Sequence, residues 1–331
     1  MQGSVLGPLL FLCFINDLYK ASDMTSLLFA DDTAVLASHE NIDELYKYCN
    51  IELKKMAIWF SANRISVDTK KCKYIIFHNK GKKIKDDNLK ISLDFNDSES
   101  EADEGDIVYL DRISSNSARP ELRNYKYLGI LLDENLNFNQ HVDYLCKKLS
   151  RGLFCLKRIK PLVDEKVLKT IYYSIFHSHL LYCSSILGCA NNTSIKRICK
   201  LQKKAIRIIT SSKYNDHTSP LFYELKILPF DKIIQLQNLK YMHSIVYEYA
   251  HESFIGIYNR NVNRDTEHDL RNNNDFTLPF PKYENFKKSP LYSLPNAWNN
   301  LGDVKFQPNK FTFCVALVDQ LLEQLVSENN S

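Results

Sequence analysis

Two adjacent aspartates, Asp31 and Asp32, are the residues of this 331-residue sequence best placed to do chemistry. They separate two short apolar runs, residues 26–30 and 33–37, which predict a β-hairpin with both carboxylates at its tip. Carboxylates at an apolar tip need a compensating cation, and Mg²⁺ typically binds one or two of them together with phosphate oxygens. Because neighbouring side chains on a hairpin point apart, we expect a third carboxylate from another strand to complete a two-metal phosphoryl-transfer site.

Two other interpretations of this pair stay open at the level of the residues. Aspartate is a common turn residue, so Asp31 and Asp32 could simply form the turn. Paired aspartates also end a parallel strand in proteins that transfer phosphoryl groups through an aspartyl intermediate. That chemistry is expected with a following helix and a βα repeat, whereas here a second strand follows at once.

The charge is distributed very unevenly along the chain, although the formal net charge is only +4. Between Cys146 and Lys240 there are 18 Lys and Arg against 5 Asp and Glu, a balance of 18 − 5 = +13, whereas residues 94–111 hold eight acidic residues and no Lys or Arg. The first segment predicts either contact with a polyanion or a solvated surface, and the second an exposed, mobile loop. The cations singled out for nucleic-acid contact are Lys147, Lys148, Arg151, Lys196, Arg197, Lys200, Lys203, Lys204 and Arg207.

The composition excludes several classes of protein. A hydrophobic fraction of 44% and a charged fraction of 25% are typical of globular proteins, and the length predicts about two domains. The apolar run at residues 9–15 is too short to span a membrane, and no basic residues precede it as they do in a signal peptide. The nine cysteines include no Cys-x-x-Cys pair, which argues against a zinc site and predicts reduced thiols in a cytoplasmic or nuclear protein.

Hydrophobic periodicity predicts the elements that position these residues. Segment 89–95 is predicted to pair with 125–132 as a hairpin-like element around the acidic segment, and residues 251–310 to be irregular. A last amphipathic helix is expected to bury Phe311, Cys314, Val315, Val318, Leu321, Leu322 and Leu325. The other predicted elements are a helix at 9–19, a helix capped by Asn41 that ends near Asn63, a strand at 74–77, and helices at 142–159, 165–187, 194–209 and 231–249. The order predicts an α+β region followed by an all-α region.

A set of short motifs follows one another in a distinctive order. They are Gln2-Gly3-Ser4-Val5-Leu6-Gly7-Pro8-Leu9-Leu10-Phe11, Ile15-Asn16-Asp17-Leu18, Phe29-Ala30-Asp31-Asp32-Thr33, Trp59-Phe60-Ser61-Ala62-Asn63, Lys70-Lys71-Cys72-Lys73, Lys126-Tyr127-Leu128-Gly129-Ile130 and Pro295-Asn296-Ala297-Trp298-Asn299. In this order the motifs resemble the reverse transcriptase of non-LTR retrotransposons. The resemblance covers essentially the whole chain, and it rests on the ordered set rather than on any single motif.

The resemblance implies a role for each matching residue. Gln2 and Gly3 would line the nucleotide and the template, and Asp31 and Asp32 would bind Mg²⁺ or Mn²⁺ for two-metal nucleotidyl transfer. Lys71 would lie near the incoming triphosphate, although Cys72 stands where the family commonly has threonine. The implied primer grip consists of Tyr127, Leu128 and Gly129. His177 and His179 are expected to be packed or surface residues rather than metal ligands, and Trp298 to be a core anchor rather than a base-stacking platform.

The resemblance also implies the architecture and the partners. Residues 1–138 would form part of a polymerase palm, with a β-hairpin, helices and a small antiparallel sheet. Residues 139–230 would form a basic thumb-like helical region, and 231–331 a helical C-terminal region. The implied partners are an RNA template and DNA primer, or an RNA–DNA hybrid, and deoxynucleoside triphosphates.

The sequence also predicts an incomplete metal site. It begins inside the Gln2-Gly3 motif, and Asp133 and Asp143 follow the implied primer grip, so neither replaces the upstream aspartate of the family. We therefore expect a truncated reverse transcriptase that is inactive as given. The alternative is a catalytically dead remnant that still binds nucleic acid.

Overall fold

The chain consists of two compact units, described here from a computed structural model. The first comprises residues 1–127 and 133–135, and the second residues 128–132 and 136–331. The structure describes residues 5–79, 84, 89–95, 107–258, 275–281 and 284–327. Gln2, Gly3 and most of the predicted acidic loop, 96–106, lie outside these residues.

The first unit is a mixture of helices and two-stranded sheets. Strands β1 and β2 are antiparallel, as are β4 and β5, whereas β3 and β6 are parallel. The predicted pairing of 89–95 with 125–132 is wrong, because β4 pairs with β5, which lies near the end of the acidic segment 94–111. The elements are α1 (Leu6–Ile15), β1 (Thr25–Phe29), β2 (Asp32–Leu36), α2 (Ile42–Ala62), β3 (Lys73–Ile75), β4 (Ser92–Asp94), β5 (Ile107–Tyr109), β6 (Asp111–Ile113) and β7 (Tyr125–Tyr127).

Helix α2 is the longest element of the first unit, and its start is fixed locally. The side chain of Asn41 accepts hydrogen bonds from the backbone N–H groups of Asp43 (2.8 Å) and Glu44 (3.4 Å), which confirms the predicted cap. Met56 of α2 packs in a small buried cluster with Ile15, Leu18 and Met24. The predicted helix at 9–19 instead begins at Leu6 and ends at Ile15, followed by a 3₁₀ turn, Leu18–Lys20.

A buried carboxylate on α2 holds the segment that leads into β1. Glu52 is 3% exposed and accepts hydrogen bonds from the Ser22 hydroxyl (3.0 Å) and the Asp23 backbone N–H (2.7 Å). The ammonium of Lys55 completes the set at 2.6 Å. Burial alone would raise the pKa of Glu52, but these three donors outweigh it and lower the pKa. The ionised carboxylate therefore ties the start of the β1–β2 hairpin to α2.

The second unit is almost entirely helical. Its elements are β8 (Ile130–Leu132), α3 (Asn139–Ile159), α4 (Glu165–Tyr172), a π-helical turn (Tyr173–His177), α5 (Ser178–Leu181), α6 (Ser184–Leu187), α7 (Asn192–Ile209), α8 (Thr218–Leu225), α9 (Phe230–Val246), α10 (Glu252–Ile255), α11 (Pro290–Asn299) and α12 (Lys310–Ser327). With the first unit, this gives the α+β class that the sequence predicts.

Three helical predictions for the second unit need correction. The helix predicted at 165–187 breaks after Leu181, because Cys183 adopts a left-handed backbone with φ 52°. Helix α8 was not predicted. Helix α11 lies in a segment predicted to be irregular; Pro290 suits its first turn, and the burial of Leu294 and Trp298 offsets the hydrogen bond that Pro295 removes from its interior.

One large core joins helices α3 to α9 with α11 and α12. Its largest fully buried side chains include Tyr172, Phe176, Phe222, Phe230 and Phe313. Trp298 is 2% exposed, which confirms that it is a core anchor. The boundary proposed at residue 230, between a thumb-like and a C-terminal region, stays a prediction.

The buried face of α12 differs from the predicted face. Phe313, Leu317, Leu321, Leu322 and Leu325 are buried. Phe311 is 76% exposed and Val315 47% exposed, so the prediction for these two residues is wrong. The stripe that packs on α8 and α9 begins two residues later than predicted, because the position of those helices selects the face.

The thiols and the helices have two simple properties. All nine cysteines are described and free, and only Cys13 and Cys155 are exposed. Across the described ranges, every helix is too short or too polar to cross a membrane.

Replacing Glu52 should destabilise the first unit selectively. We expect Glu52→Gln to lower its free energy of unfolding by about 1–3 kcal/mol, because buried donors lose a charged acceptor. The chain has two tryptophans, so a Trp298→Phe background leaves Trp59 fluorescence as the reporter of this unit. Glu44→Gln is the matched control, since Glu44 also pairs with a lysine three residues away on α2 but is exposed. Equal effects of the two substitutions would contradict the anchoring role of Glu52.

Acidification should destabilise the second unit. Burial lowers the pKa of His141, His177, His179 and His243. His243 is fully buried, stacks on Phe313 with ring centroids 4.3 Å apart, and donates from Nε2 to the Gln307 carbonyl at 2.9 Å. Its Nδ1 has no partner within the described ranges, so a proton there would be buried without an acceptor.

The direction of this pH effect follows from the histidine pKa values, since the unfolded chain binds protons at these histidines more tightly than the folded unit does. The free energy of unfolding should therefore be highest above pH about 6.5, the ordinary histidine pKa, and should fall as the pH drops below it. Urea unfolding between pH 7.5 and 5.5 in a Trp59→Phe background, with Trp298 as reporter, measures this. His243→Phe should flatten the pH dependence and His217→Phe, on the surface, should not; an unchanged slope in His243→Phe would contradict the assignment.

Candidate active site and nucleic-acid interface

The hairpin that carries Asp31 and Asp32 is present as predicted. Phe29 pairs with Asp32 across β1 and β2, so Ala30 and Asp31 form a two-residue loop. Ala30 has φ 51°, the left-handed backbone that such tight loops require. Asp31 therefore lies in the turn and Asp32 begins β2, one residue earlier than the predicted strand.

Both carboxylates at this tip are exposed and available. No described residue makes a hydrogen bond or a salt bridge with either of them. The charges of the two aspartates affect the pKa values of two other groups. The pKa of Lys71 is raised, mainly by its hydrogen bond to Asp68 and to a smaller degree by the charge of Asp31. The pKa of Tyr125 is raised by burial first and by the charge of Asp32 second.

The donor set fits a hard divalent cation only in part. Two unpaired carboxylates are ligands that Mg²⁺ or Mn²⁺ accepts. Among the described residues, however, no group of three His, Cys, Asp or Glu converges anywhere. Asp133 is 7% exposed and accepts from the Asn135 N–H at 3.0 Å, and Asp143 pairs with Arg197 at 2.7 Å. Each of these two aspartates is thus engaged elsewhere.

Two lysines of the Lys70–Lys73 motif have different environments: Lys73 is held in a salt bridge between strands, and Lys71 is exposed. Lys73 pairs with Asp111 at 2.7 Å across β3 and β6, and Arg119 also contacts Asp111, at 2.6 Å. The two cations lower the pKa of Asp111. Lys71 pairs with Asp68 at 3.0 Å, but its side chain is 85% exposed. Of these two lysines, Lys71 is the one accessible to a ligand.

The predicted primer grip lies where the two units meet in the sequence. Tyr127 is the last residue of β7 in the first unit, and Leu128 and Gly129 begin the second. Leu128 has φ 44° and Gly129 φ 84°, so both adopt the left-handed backbone of a tight turn.

The predicted nucleic-acid residues lie on two helices of the second unit that pack together, α3 and α7. Their apolar sides are buried, with Val142, Leu149 and Ile198 fully inaccessible. Nearly all the predicted cations point to solvent, and only Lys148 and Arg207 are half-buried. The salt bridge between Arg197 of α7 and Asp143 of α3 borders a groove lined by Asp143, Cys146, Lys147, Ser150, Arg151 and Arg197.

Two aromatic residues on this surface were not predicted. Tyr144 is 36% exposed and Phe154 is 62% exposed. The ammonium of Lys148 lies 4.7 Å from the Tyr144 ring centroid, and the guanidinium of Arg158 lies 5.4 Å from that of Phe154. Cations beside exposed aromatic rings are typical of surfaces that bind nucleic acid. The sequence signal was present, since both aromatics fall off the apolar stripe of α3.

Comparison with known proteins identifies the family of the first part of the chain. Residues 1–132 match the family model of the reverse transcriptase (RNA-dependent DNA polymerase). No solved structure matches the chain at a significant level.

Curated relatives extend the match beyond those residues. The chain is 26% identical to the RNA-directed DNA polymerase from mobile element jockey of Drosophila funebris, over 68% of the chain and 23% of that protein. It is 26% identical to the jockey polymerase of Drosophila melanogaster (74% and 25%), and 27% identical to the probable RNA-directed DNA polymerase from transposon X-element of the same fly (70% and 24%). The chain thus spans about a quarter of the length of these relatives.

The motif order and the comparisons agree on one family. Residues 1–132 therefore belong to the reverse transcriptase (RNA-dependent DNA polymerase) family, and the chain carries a reverse transcriptase segment of the non-LTR retrotransposon type.

Proposed function

We propose that this chain contributes the metal-binding hairpin, the primer grip and the duplex-gripping helices of an RNA-directed DNA polymerase. The observation that carries the proposal is the Asp31-Asp32 pair at a two-residue loop inside the family match. Both carboxylates are exposed and have no hydrogen bond or salt bridge from the described residues, so their oxygens are accessible, which favours a ligand-binding role over a simple turn.

Asp31 and Asp32 are the residues that would hold Mg²⁺ or Mn²⁺. When bound, such an ion activates the attacking oxygen and neutralises charge on the transferring phosphate. Lys71 would bind the triphosphate, because its exposed ammonium can exchange the Asp68 carboxylate for a phosphate oxygen. Gln2 and Gly3 would line the nucleotide and template, and the turn of Tyr127, Leu128 and Gly129 would hold the primer end.

Two carboxylates are a weak site without a third. We therefore propose that the chain by itself does not extend a primer, because a single pair gives incomplete stabilisation of the developing charges. The second candidate function is nucleic-acid binding without catalysis. It is favoured because, among the residues with described positions, no third possible metal ligand converges with the two aspartates.

The basic surface of α3 and α7 supports a duplex partner. Its exposed cations lie opposite the buried apolar stripes, so the helices can bind phosphates without losing core packing. Contacts of this kind carry little sequence information. The proposed partners are an RNA template with a DNA primer, or an RNA–DNA hybrid, and deoxynucleoside triphosphates.

Primer extension tests the catalytic proposal. On a primed RNA template with deoxynucleotides and Mg²⁺ or Mn²⁺, we expect no extension by the chain alone. Extension that Asp31→Asn abolishes would contradict the predicted inactivity.

Mn²⁺-induced broadening of NMR signals tests the metal pair separately. The broadening should concentrate on residues 30–33 and should disappear in Asp31→Asn and in Asp32→Asn. Asp43→Asn, an exposed aspartate in the first turn of α2, is the matched control and should leave the broadening unchanged. Broadening that is absent from the hairpin would remove the metal-binding proposal.

Salt dependence tests the duplex-gripping proposal. If about six cations neutralise phosphates, log affinity for duplex DNA should fall with log salt at a slope of roughly −5. Gln replaces Lys or Arg with little change in helix propensity, so the sixfold variant should stay folded, bind every sequence more weakly and show a flatter slope. The six residues replaced are Lys196, Arg197, Lys200, Lys203, Lys204 and Arg207.

A second variant removes five exposed cations of the second unit that lie outside α3 and α7, and it is the control. It replaces Lys166, Lys213, Lys226, Lys287 and Lys310 by Gln. We expect it to keep most of the parent slope. Equal flattening in both variants, with helix content intact by circular dichroism, would show that α7 is not a specific binding face.

A further inference from the structure

The turn at Leu128 and Gly129 is fitted to one side chain of the helical region, Tyr182. The Tyr182 hydroxyl donates a hydrogen bond to the Leu128 carbonyl. A Cβ added at Gly129 would lie 3.3 Å from Cε1 and 3.4 Å from the hydroxyl oxygen of Tyr182. Glycine at position 129 therefore lets the phenol ring of Tyr182 pack closely against the backbone. It also allows the left-handed backbone, with φ 84°.

A break in the helical region brings Tyr182 to this position. Helix α5 ends at Leu181, Tyr182 has extended backbone (φ −63°, ψ 119°), and Cys183 is left-handed with φ 52°. A left-handed backbone is unfavourable for a residue with a Cβ atom, and an uninterrupted helix would avoid that cost. The break directs a 53% exposed tyrosine to the turn, where a continuous helix would direct it elsewhere.

The strand after the turn is anchored to the same helices. The Leu131 N–H donates to Nδ1 of the buried His141 at 3.4 Å. Ile130, 4% exposed, packs with Phe138, Ala190 and Cys183, the residue next to Tyr182. Residues 130–132 are thus fixed by packing, and the hydrogen bond from Tyr182 ties the turn that precedes them to the same helices.

We propose that Tyr182 is the positioning residue of the primer grip, holding the Leu128–Gly129 turn in the geometry that accepts the recessed 3′ end of a primer. This inference rests on the proposed function. The hydroxyl fixes the carbonyl of Leu128, and the ring prevents Gly129 from collapsing towards the helices. Tyr182 thereby couples the helical region, which grips the duplex, to the segment that holds the end of the primer strand.

The test compares two RNA–DNA hybrids of equal length, one with a recessed 3′ DNA end and one with the DNA strand continuing past that point. The ratio of their dissociation constants measures end preference. Tyr182→Phe keeps the ring and removes the hydroxyl, and should reduce the preference roughly fivefold, the effect of one neutral hydrogen bond. Affinity for the continuous hybrid should not change. Tyr223→Phe, on the exposed side of α8, is the matched control and should keep the full preference.

Hydrogen exchange of the 128–132 amides in the free protein gives a readout that needs no nucleic acid. Faster exchange in Tyr182→Phe, together with the lost preference, is the expected result. Unchanged preference would overturn the inference, even if exchange accelerates, because Tyr182 would then be only structural. An equal loss on both hybrids would also overturn it. A parent chain that binds neither hybrid would instead overturn the proposed function, and the inference with it.

Discussion

Packing of α3 against α7 is the contact on which the second unit depends. The apolar sides of both helices enter one core with α4, α8 and α9, and burial of these sides leaves a single orientation for their cations. The salt bridge between Asp143 and Arg197 crosses the same contact on its solvent side. The basic surface therefore follows from the hydrophobic effect, which fixes the orientation of two helix faces at once.

The first unit depends on a different constraint, which is the buried charge of Glu52. Its three donors offset the free-energy cost of burying the carboxylate. They also fix the segment before β1 against α2, which anchors the start of the hairpin. Phe29 pairs with Asp32 at the end of this hairpin, and the carboxylates of Asp31 and Asp32 are exposed, without a hydrogen bond or salt bridge from the described residues.

The same helical unit has two local irregularities, a helix break and a π-helical turn. The break at Tyr182 and Cys183 sacrifices regular helix to hold the Leu128–Gly129 turn. The π-helical turn just before it adapts to Gly152 of α3, where an added Cβ would lie 3.2 Å from Cδ2 of Phe176. Helical irregularity in this unit is therefore concentrated where α3 and the turn approach the segment of residues 173–183.

The sequence by itself determined the features that depend on neighbours a few residues apart. The Asp31-Asp32 hairpin, the Asn41 cap and the amphipathic stripes of α3 and α7 arise from local hydrogen bonds and from a 3.6-residue period, so they could be predicted residue by residue. The ordered motifs also identified the family that the comparisons found. The roles of Lys71, of the primer grip and of the basic residues stay predictions from the motif order and the charge pattern.

Only the tertiary structure decided which partner each element meets. Strands β3 to β6 are three residues each, too short for their own pattern to select a partner, so β4 pairs with β5 and β3 runs parallel to β6 through contacts distant in sequence. The contacts of α12 with α8 and α9 determine which of its faces is buried, and Phe311 and Val315 lie outside that face. The break at Cys183 was decided in the same way, because its local cost is outweighed by contacts at Tyr182 with residues more than fifty positions away, and no local pattern encodes contacts of that range.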